Sequence, residues 1–223
     1  MKMYHGTSAN HLESILKHGL RPRGERPSNF SDIPSRPDLV YLTKVTATYY
    51  SFALEGDPLI VEVDTSGLPQ DALLPDEDFV FEVTKEKHPM TDKRDIVCNL
   101  DAYQHLWEES VRRMGVCAFK GTIPVSAITR YATWSLTEVP HLIQFAPDPS
   151  ISISNFKCME GNYTGFLNWL FGDVPDLPVN PMYANIEQVT SDPELRRQAK
   201  KYVETIKKVS QERDGIQVVS LCK

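Results

Sequence analysis

An imidazole, a glycine and two hydroxyls stand together in Met3-Tyr4-His5-Gly6-Thr7-Ser8 near the start of the chain. A glycine lets the backbone approach a ligand closely. A neutral imidazole can hydrogen-bond a ribose hydroxyl, and Ser8 or Asn10 can cap a following helix. That helix is legible from Leu12, Ile15 and Leu16 on one stripe, with Gly19 where a left-handed cap is usual. The arrangement is strand, ligand-facing turn and helix, which suits a nucleotide-binding cleft. Taken alone, His-Gly-Thr also has a plainer reading, a strand-to-helix turn that binds nothing.

A second stretch answers the first. Residues Leu20 to Asp38 carry Arg21, Arg23, Arg26 and Arg36 among Pro22, Pro27, Pro34 and Pro37, a composition that specifies an irregular loop. Val40-Tyr41-Leu42-Thr43 is a short β-rich run, and Thr46 to Leu54 follows as a helix bearing Tyr49, Tyr50 and Phe52. Tyr-His-Gly-Thr-Ser, an Ile-Leu-x-x-Gly-Leu helix, Val-Tyr-Leu-Thr and a Tyr-Tyr-x-Phe-Ala helix together resemble the ADP-ribosyltransferase superfamily, whose members split NAD at the nicotinamide ribose. The opening is similar to the DarT-type nucleic-acid ADP-ribosyltransferase toxins and, more loosely, to the tRNA 2′-phosphotransferases. The resemblance covers roughly Met1 to Trp134.

The resemblance implies a division of labour. Breaking the bond between nicotinamide and ribose develops oxocarbenium character at the anomeric carbon, so a site must hold the ribose and place negative potential near the developing cation. His5 would hydrogen-bond the adenosine-side ribose, Gly6 would offer its backbone to the nicotinamide amide, and Tyr41 would stack on the nicotinamide ring. Thr7 and Ser8 would be ancillary polar contacts, and Tyr49 or Tyr50 a second aromatic face. Arg21 and Arg23, in the loop that would close over NAD, could pair with the pyrophosphate; the alternative is a solvated loop. One position departs from the family: where an acid is expected, at the head of the strand before an Ile-Pro segment, this chain has Gly115-Val116-Cys117. Glu108, Glu109, Glu82 and Asp78 are the alternatives, and none is singled out.

The implied fold is α+β, of ADP-ribosyltransferase-like split mixed sheets with few helices and a helical C-terminal extension. Residues 1–135 would form the NAD-binding domain and 136–223 an extension packed on it. Pro58 to Asp64 is the clearest strand. Leu73 to Val83 reads as an acidic turn at Asp76-Glu77-Asp78 followed by another strand, its carboxylates solvated in preference to forming a site. Thr84 to Asp95 is charged and expected to be mobile, Asn99 to Met114 has helical spacing, and Val116 to Phe119 and Ala127 to Trp134 are strands. Arg112 and Arg113 suit the end of that helix. Past Trp134, Ile151 to Phe156 alternates like a strand. Tyr163 to Phe171 is dense in aromatics, which means core packing or a partner surface. Ser191-Asp192-Pro193-Glu194 starts an amphipathic helix over about 192–213, with Lys200, Lys201, Lys207 and Lys208 opposite its apolar stripe, and Ile216 to Leu221 reads as an edge strand.

Composition bounds the rest. At 223 residues, 41% hydrophobic and 24% charged, the chain can bury a sizeable core. Cys98, Cys117, Cys158 and Cys222 lack the close spacing of a zinc site and are too few for a disulfide scaffold, so they read as free thiols and no metal is expected. No apolar run is long enough to span a membrane and Met1-Lys2-Met3 begins a strand, which argues for the cytosol. A net charge of −6 argues against coating nucleic acid through a global field, while a local basic patch could still hold phosphates. The function that the resemblance implies is ADP-ribose transfer from NAD to RNA or DNA, by a toxin restrained by an antitoxin. The alternatives are an RNA 2′-phosphotransferase-like enzyme, a protein ADP-ribosyltransferase, and a non-catalytic nucleotide-binding module.

Overall fold

The computed structural model describes residues 1–27, 35–86, 88, 90–138, 164–177, 179, 181–211 and 213–221. The expected strand at 151–156, Tyr163, Cys158 and Cys222 lie outside them. The architecture is α+β, built on a seven-stranded sheet in the order β4-β5-β2-β1-β3-β6-β7. Its strands are β1 (Lys2–Ser8), β2 (Leu39–Thr43), β3 (Pro58–Asp64), β4 (Leu73–Pro75), β5 (Val116–Lys120), β6 (Ile128–Trp134) and β7 (Ile216–Ser220). Every ladder is antiparallel, so the expected mixed, two-sheet arrangement is replaced by one antiparallel sheet.

That sheet nevertheless has a seam. β1 pairs with β3 along its whole length, from Lys2↔Asp64 to Ser8↔Pro58, whereas β1 meets β2 at the single pair Tyr4↔Thr43. The halves β4-β5-β2 and β1-β3-β6-β7 therefore part immediately after Tyr4, and His5 is the first residue beyond the join. Leu59, Ile60, Val61 and Val63 are all buried, and β3 lies between β1 and β6. On one face Met3, Val61, Val63, Val40, Leu42 and Phe119 form a core with Ile15.

On the other face, α2 (Ala47–Phe52) crosses β1 at Gly6. A Cβ built on Gly6 would lie 1.9 Å from the Ala47 carbonyl oxygen, so this glycine is required by helix packing. The short helix of residues 164–170, here α6, lays Phe166, Leu167, Trp169 and Leu170 against Tyr4, Ala47, Ile60 and Trp134. The described aromatics of this segment are thus core. Beyond the small helices α7 (Pro181–Ala184) and α8 (Ile186–Val189), the long helix α9 (Pro193–Gln211) adds Ile206 and Val209 to that core. Asp192 Oδ1 accepts from the Glu194 N–H at its start, at 2.8 Å. β7 pairs with β6 as the edge strand.

Three expectations change. Residues 77–85 form a helix, α3 (Glu77–Lys85), where a strand was expected. Asp76 caps it by accepting from the Asp78 N–H at 2.9 Å, and Phe79 and Val80 then fall on one buried face. The stretch expected to be mobile, Thr84 to Asp95, runs into α4 (Lys93–Cys98), which is capped by Asp92 and anchored just beyond the stretch by buried Ile96. The expected helix over 99–114 divides into a 3-10 segment, Leu100–Leu106, and α5 (Trp107–Met114). No described helix is long and apolar enough to cross a membrane.

Candidate active site

The seam places His5 beside Tyr41. His5 Nδ1 lies 2.9 Å from the Tyr41 carbonyl oxygen. A carbonyl can only accept, so Nδ1 carries the proton and Nε2 keeps a lone pair. Burial lowers the imidazole pKa below its ordinary value against the Tyr41 contact, and the charge of His11 lowers it further, so the ring is neutral at physiological pH. This is the tautomer a ribose hydroxyl would need as its acceptor.

Tyr41 runs across the other half of the sheet. It faces Ala118 on β5, which in turn faces Leu74 on β4, and its ring is half-buried against the cluster of Leu39, Leu74, Phe79 and Val80. Its hydroxyl donates to Glu77 Oε1 at 3.0 Å. Burial and then the charges of Glu77 and Asp76 push the phenol well above its ordinary value. Tyr50, half-buried on α2, is raised by burial and by the charges of Asp76, Asp78 and Glu77, whereas Tyr49 stands edge-on to it at 5.3 Å.

The acidic run is therefore no solvated turn. Asp76 is driven well above the usual carboxylate range by burial and by the neighbouring Glu77 and Asp78 charges; Glu77 is raised chiefly by burial. Only Asp78 is exposed, and it pairs with Lys93. Because both carboxyls are raised, ionising them costs stability: the folded state holds their protons longer, so stability falls as pH rises above about 4. Asp76→Asn keeps the cap and removes one of these charges. It is expected to raise the melting midpoint by several degrees at pH 8 and hardly at all at pH 3, as a thermal scan at each pH would read.

The 115–117 segment, where the resemblance led to the expectation of an acid, holds a helix cap and a buried thiol. Gly115 ends α5 in the left-handed conformation, φ 68° and ψ 20°, with its N–H on the Val111 carbonyl, and its own carbonyl accepts from Lys44 N–H at 2.7 Å. Cys117 is fully buried and its thiol is pushed up to about 12 by burial.

Other expected contacts are engaged in the fold. Ser8 Oγ donates to the Glu55 carbonyl and accepts from the Asn10 N–H, and Thr7 is buried. Gly6 meets α2, as described. Arg23 donates to the carbonyls of Gly24, Arg26 and Ser35, so it shapes its own loop; Arg21 is exposed and donates to Ser14 Oγ at 3.0 Å. Arg112 pairs with Glu109, and Arg113 lies over the Phe79 ring at 5.5 Å. The sequence favours a solvated turn at Asp76 and Glu77 over a site, where the structure has a helix start with both carboxyls covered. The available signal was a helix start, an Asp-Glu-Asp run directly before Phe79-Val80.

Comparison with known proteins adds little. The sequence matches no protein-family profile and no curated protein. Among solved structures, EcPltA is similar at a TM-score of 0.35 and 13% identity, over 60% of this chain and 75% of that one.

Proposed function

We propose that this protein is an ADP-ribosyltransferase that cleaves NAD at the nicotinamide ribose and passes ADP-ribose to a nucleic-acid acceptor. The observation that carries the reading is the chain of contacts across the seam: His5 to the Tyr41 backbone, and Tyr41 through its hydroxyl to Glu77. These are the two residues that the resemblance puts at the NAD site, and here they are linked directly, next to a concentration of carboxyls.

The chemistry follows from those groups. Neutral His5 would accept from a ribose hydroxyl through Nε2, fixing the sugar. The Tyr41 ring would lie against the nicotinamide, which leaves as a neutral ring once the glycosidic electrons move to its nitrogen. Negative potential from the acids beside Tyr41 would favour the oxocarbenium-like ribose. An antiparallel sheet that parts between β1 and β2 is compatible with the split-sheet fold that the resemblance implies. The nucleic-acid acceptor, the role as a toxin and the restraining antitoxin rest on the resemblance of Tyr-His-Gly-Thr-Ser alone.

The test is incubation of the purified protein with NAD labelled in the adenylate phosphate, against RNA, single-stranded DNA, duplex DNA and a protein extract in parallel. Label entering RNA or DNA supports the proposal and names the acceptor. Label in protein alone would redirect the acceptor. A folded sample that binds NAD and consumes none would overturn the enzymatic reading.

A further inference from the structure

We infer that Glu77, at the start of α3, is the catalytic carboxylate of this site, taking the place of the acid absent from the 115–117 segment. The inference rests on the NAD-cleavage reading above. Its first support is topological. β4 lies beside β5 with Pro75 opposite Cys117, so Asp76 and Glu77 leave the sheet one strand away from the position where the family's acid is missing. Gly115 is committed to capping α5 and cannot be exchanged for an acid without strain, since φ there is +68°. An acid delivered from the neighbouring strand reaches the same end of the sheet without disturbing that cap.

The second support separates Glu77 from every other acid nearby. Asp76 spends Oδ1 on the Asp78 N–H. Asp78 is exposed and paired with Lys93, Glu109 is paired with Arg112, and Glu82 and Glu108 are exposed. Glu77 alone touches a residue of the candidate site, accepting from the Tyr41 hydroxyl at 3.0 Å. Its other oxygen, Oε2, is buried and has no hydrogen-bond partner among the described residues. A buried carboxylate oxygen without a partner is costly unless something binds it. Tyr41 holds one oxygen and leaves the other unpaired.

In the reaction, the bond between the anomeric carbon and the nicotinamide nitrogen breaks and its electron pair goes to the nicotinamide, cancelling the pyridinium charge. The acceptor nitrogen or oxygen forms the new bond to the anomeric carbon and loses its proton. Glu77, ionised, would stabilise the cationic ribose and take that proton. Because burial raises its pKa, the rate should fall on the acid side as Glu77 becomes protonated.

The experiment measures nicotinamide release and NAD binding for the wild type, Glu77→Gln, Tyr41→Phe and Glu109→Gln. Glu77→Gln keeps the shape and can still accept from Tyr41, so it should fold. Its turnover should drop by about 10²–10³-fold, its NAD affinity should change little, and its rate should lose the acid limb of the pH profile. Tyr41→Phe, which frees the carboxylate, should lose about tenfold with the limb retained and displaced. Glu109→Gln should match the wild type. A wild type that cleaves NAD beside an equally fast Glu77→Gln would overturn the inference and leave the transferase reading standing. A wild type that binds NAD without cleaving it would overturn both. Should Glu77→Gln fail to fold, Glu77→Asp, which withdraws the charge by one methylene, carries the same outcomes.

Discussion

His5→Ala is expected to lower ADP-ribose transfer by about 10²–10³-fold, the scale of losing a polar group that orients or stabilises the transition state. Two contributions are lost together. The Nε2 acceptor for the ribose disappears, and so does the bond to the Tyr41 carbonyl that closes the seam beyond the one ladder pair. The second loss is structural and should cost about 1–3 kcal/mol, since it strips a partner from a carbonyl in a partly buried place. His5→Asn separates them, because its amide nitrogen can donate as Nδ1 does: stability should return while transfer stays low. A pH titration adds a further check. The imidazole has a depressed pKa in the fold, so its contribution is present above the ordinary value of 6.5 and is lost as pH falls towards the lowered one; His5→Asn should flatten that loss. Full transfer activity in His5→Ala, or in Tyr41→Ala, would sink the placement of the cleft.

Which parts of this were legible in the sequence follows from the range of the forces involved. β1, β3, β5, β6 and α9 are written in local periodicity and capping, and a single reading of Pro58 to Asp64 or of Ser191-Asp192-Pro193-Glu194 finds them. α3 is written equally locally, but Phe79-Val80-Phe81 has the aromatic and β-branched content of a strand, and composition outweighed the Asp76 cap. The covering of Asp76 and Glu77 is illegible for a different reason. A carboxylate is solvated or buried according to what packs beside it, and Glu77 is covered by Tyr41, which lies thirty-six residues earlier in the chain. Gly6 shows the same limit. Its lack of a side chain suggested room for a ligand, yet the close neighbour is the Ala47 carbonyl, supplied by a helix whose path over β1 no local pattern reveals. His5 and Tyr41 lie together, whereas the loop arginines take other partners, Arg23 on the carbonyls of its own loop and Arg21 on Ser14 Oγ, a choice that depends on the loop's shape.

Arg130→Ala is expected to destabilise the fold by about 3–5 kcal/mol, the scale of removing one partner from a buried ion pair. Glu62 sits in central strand β3 with 1% exposure, where an unpaired charge is expensive. Arg130, across the ladder on β6, donates to Glu62 Oε2 at 2.6 Å and grips Asp173 with both terminal nitrogens, at 2.8 and 2.5 Å. The same guanidinium donates to the Phe171 carbonyl and covers the Phe171 ring at 4.6 Å, so it ties the segment after α6 to the sheet. Thr129 at 2.6 Å and Lys2 at 3.6 Å remain to Glu62 in the variant and keep the cost below that of a bare buried charge. Part of the contribution depends on pH. Arg130 holds the Asp173 carboxyl below its ordinary range, so that stabilisation is present above the unfolded carboxylate pKa of about 4 and is lost as pH falls through the depressed one. The wild type should therefore lose part of its advantage over Arg130→Ala in acid. Adding Glu62→Gln to Arg130→Ala should recover more than half of the loss, because the buried charge goes with its partner. Denaturant midpoints for the two single variants and the double variant would show it, and a loss under about 1 kcal/mol for Arg130→Ala would mean that the network contributes little. The effect should also reach the candidate site: Phe171 stacks on Tyr4 at 5.6 Å, and Tyr4 makes the one ladder pair that holds the two halves of the sheet together beside His5.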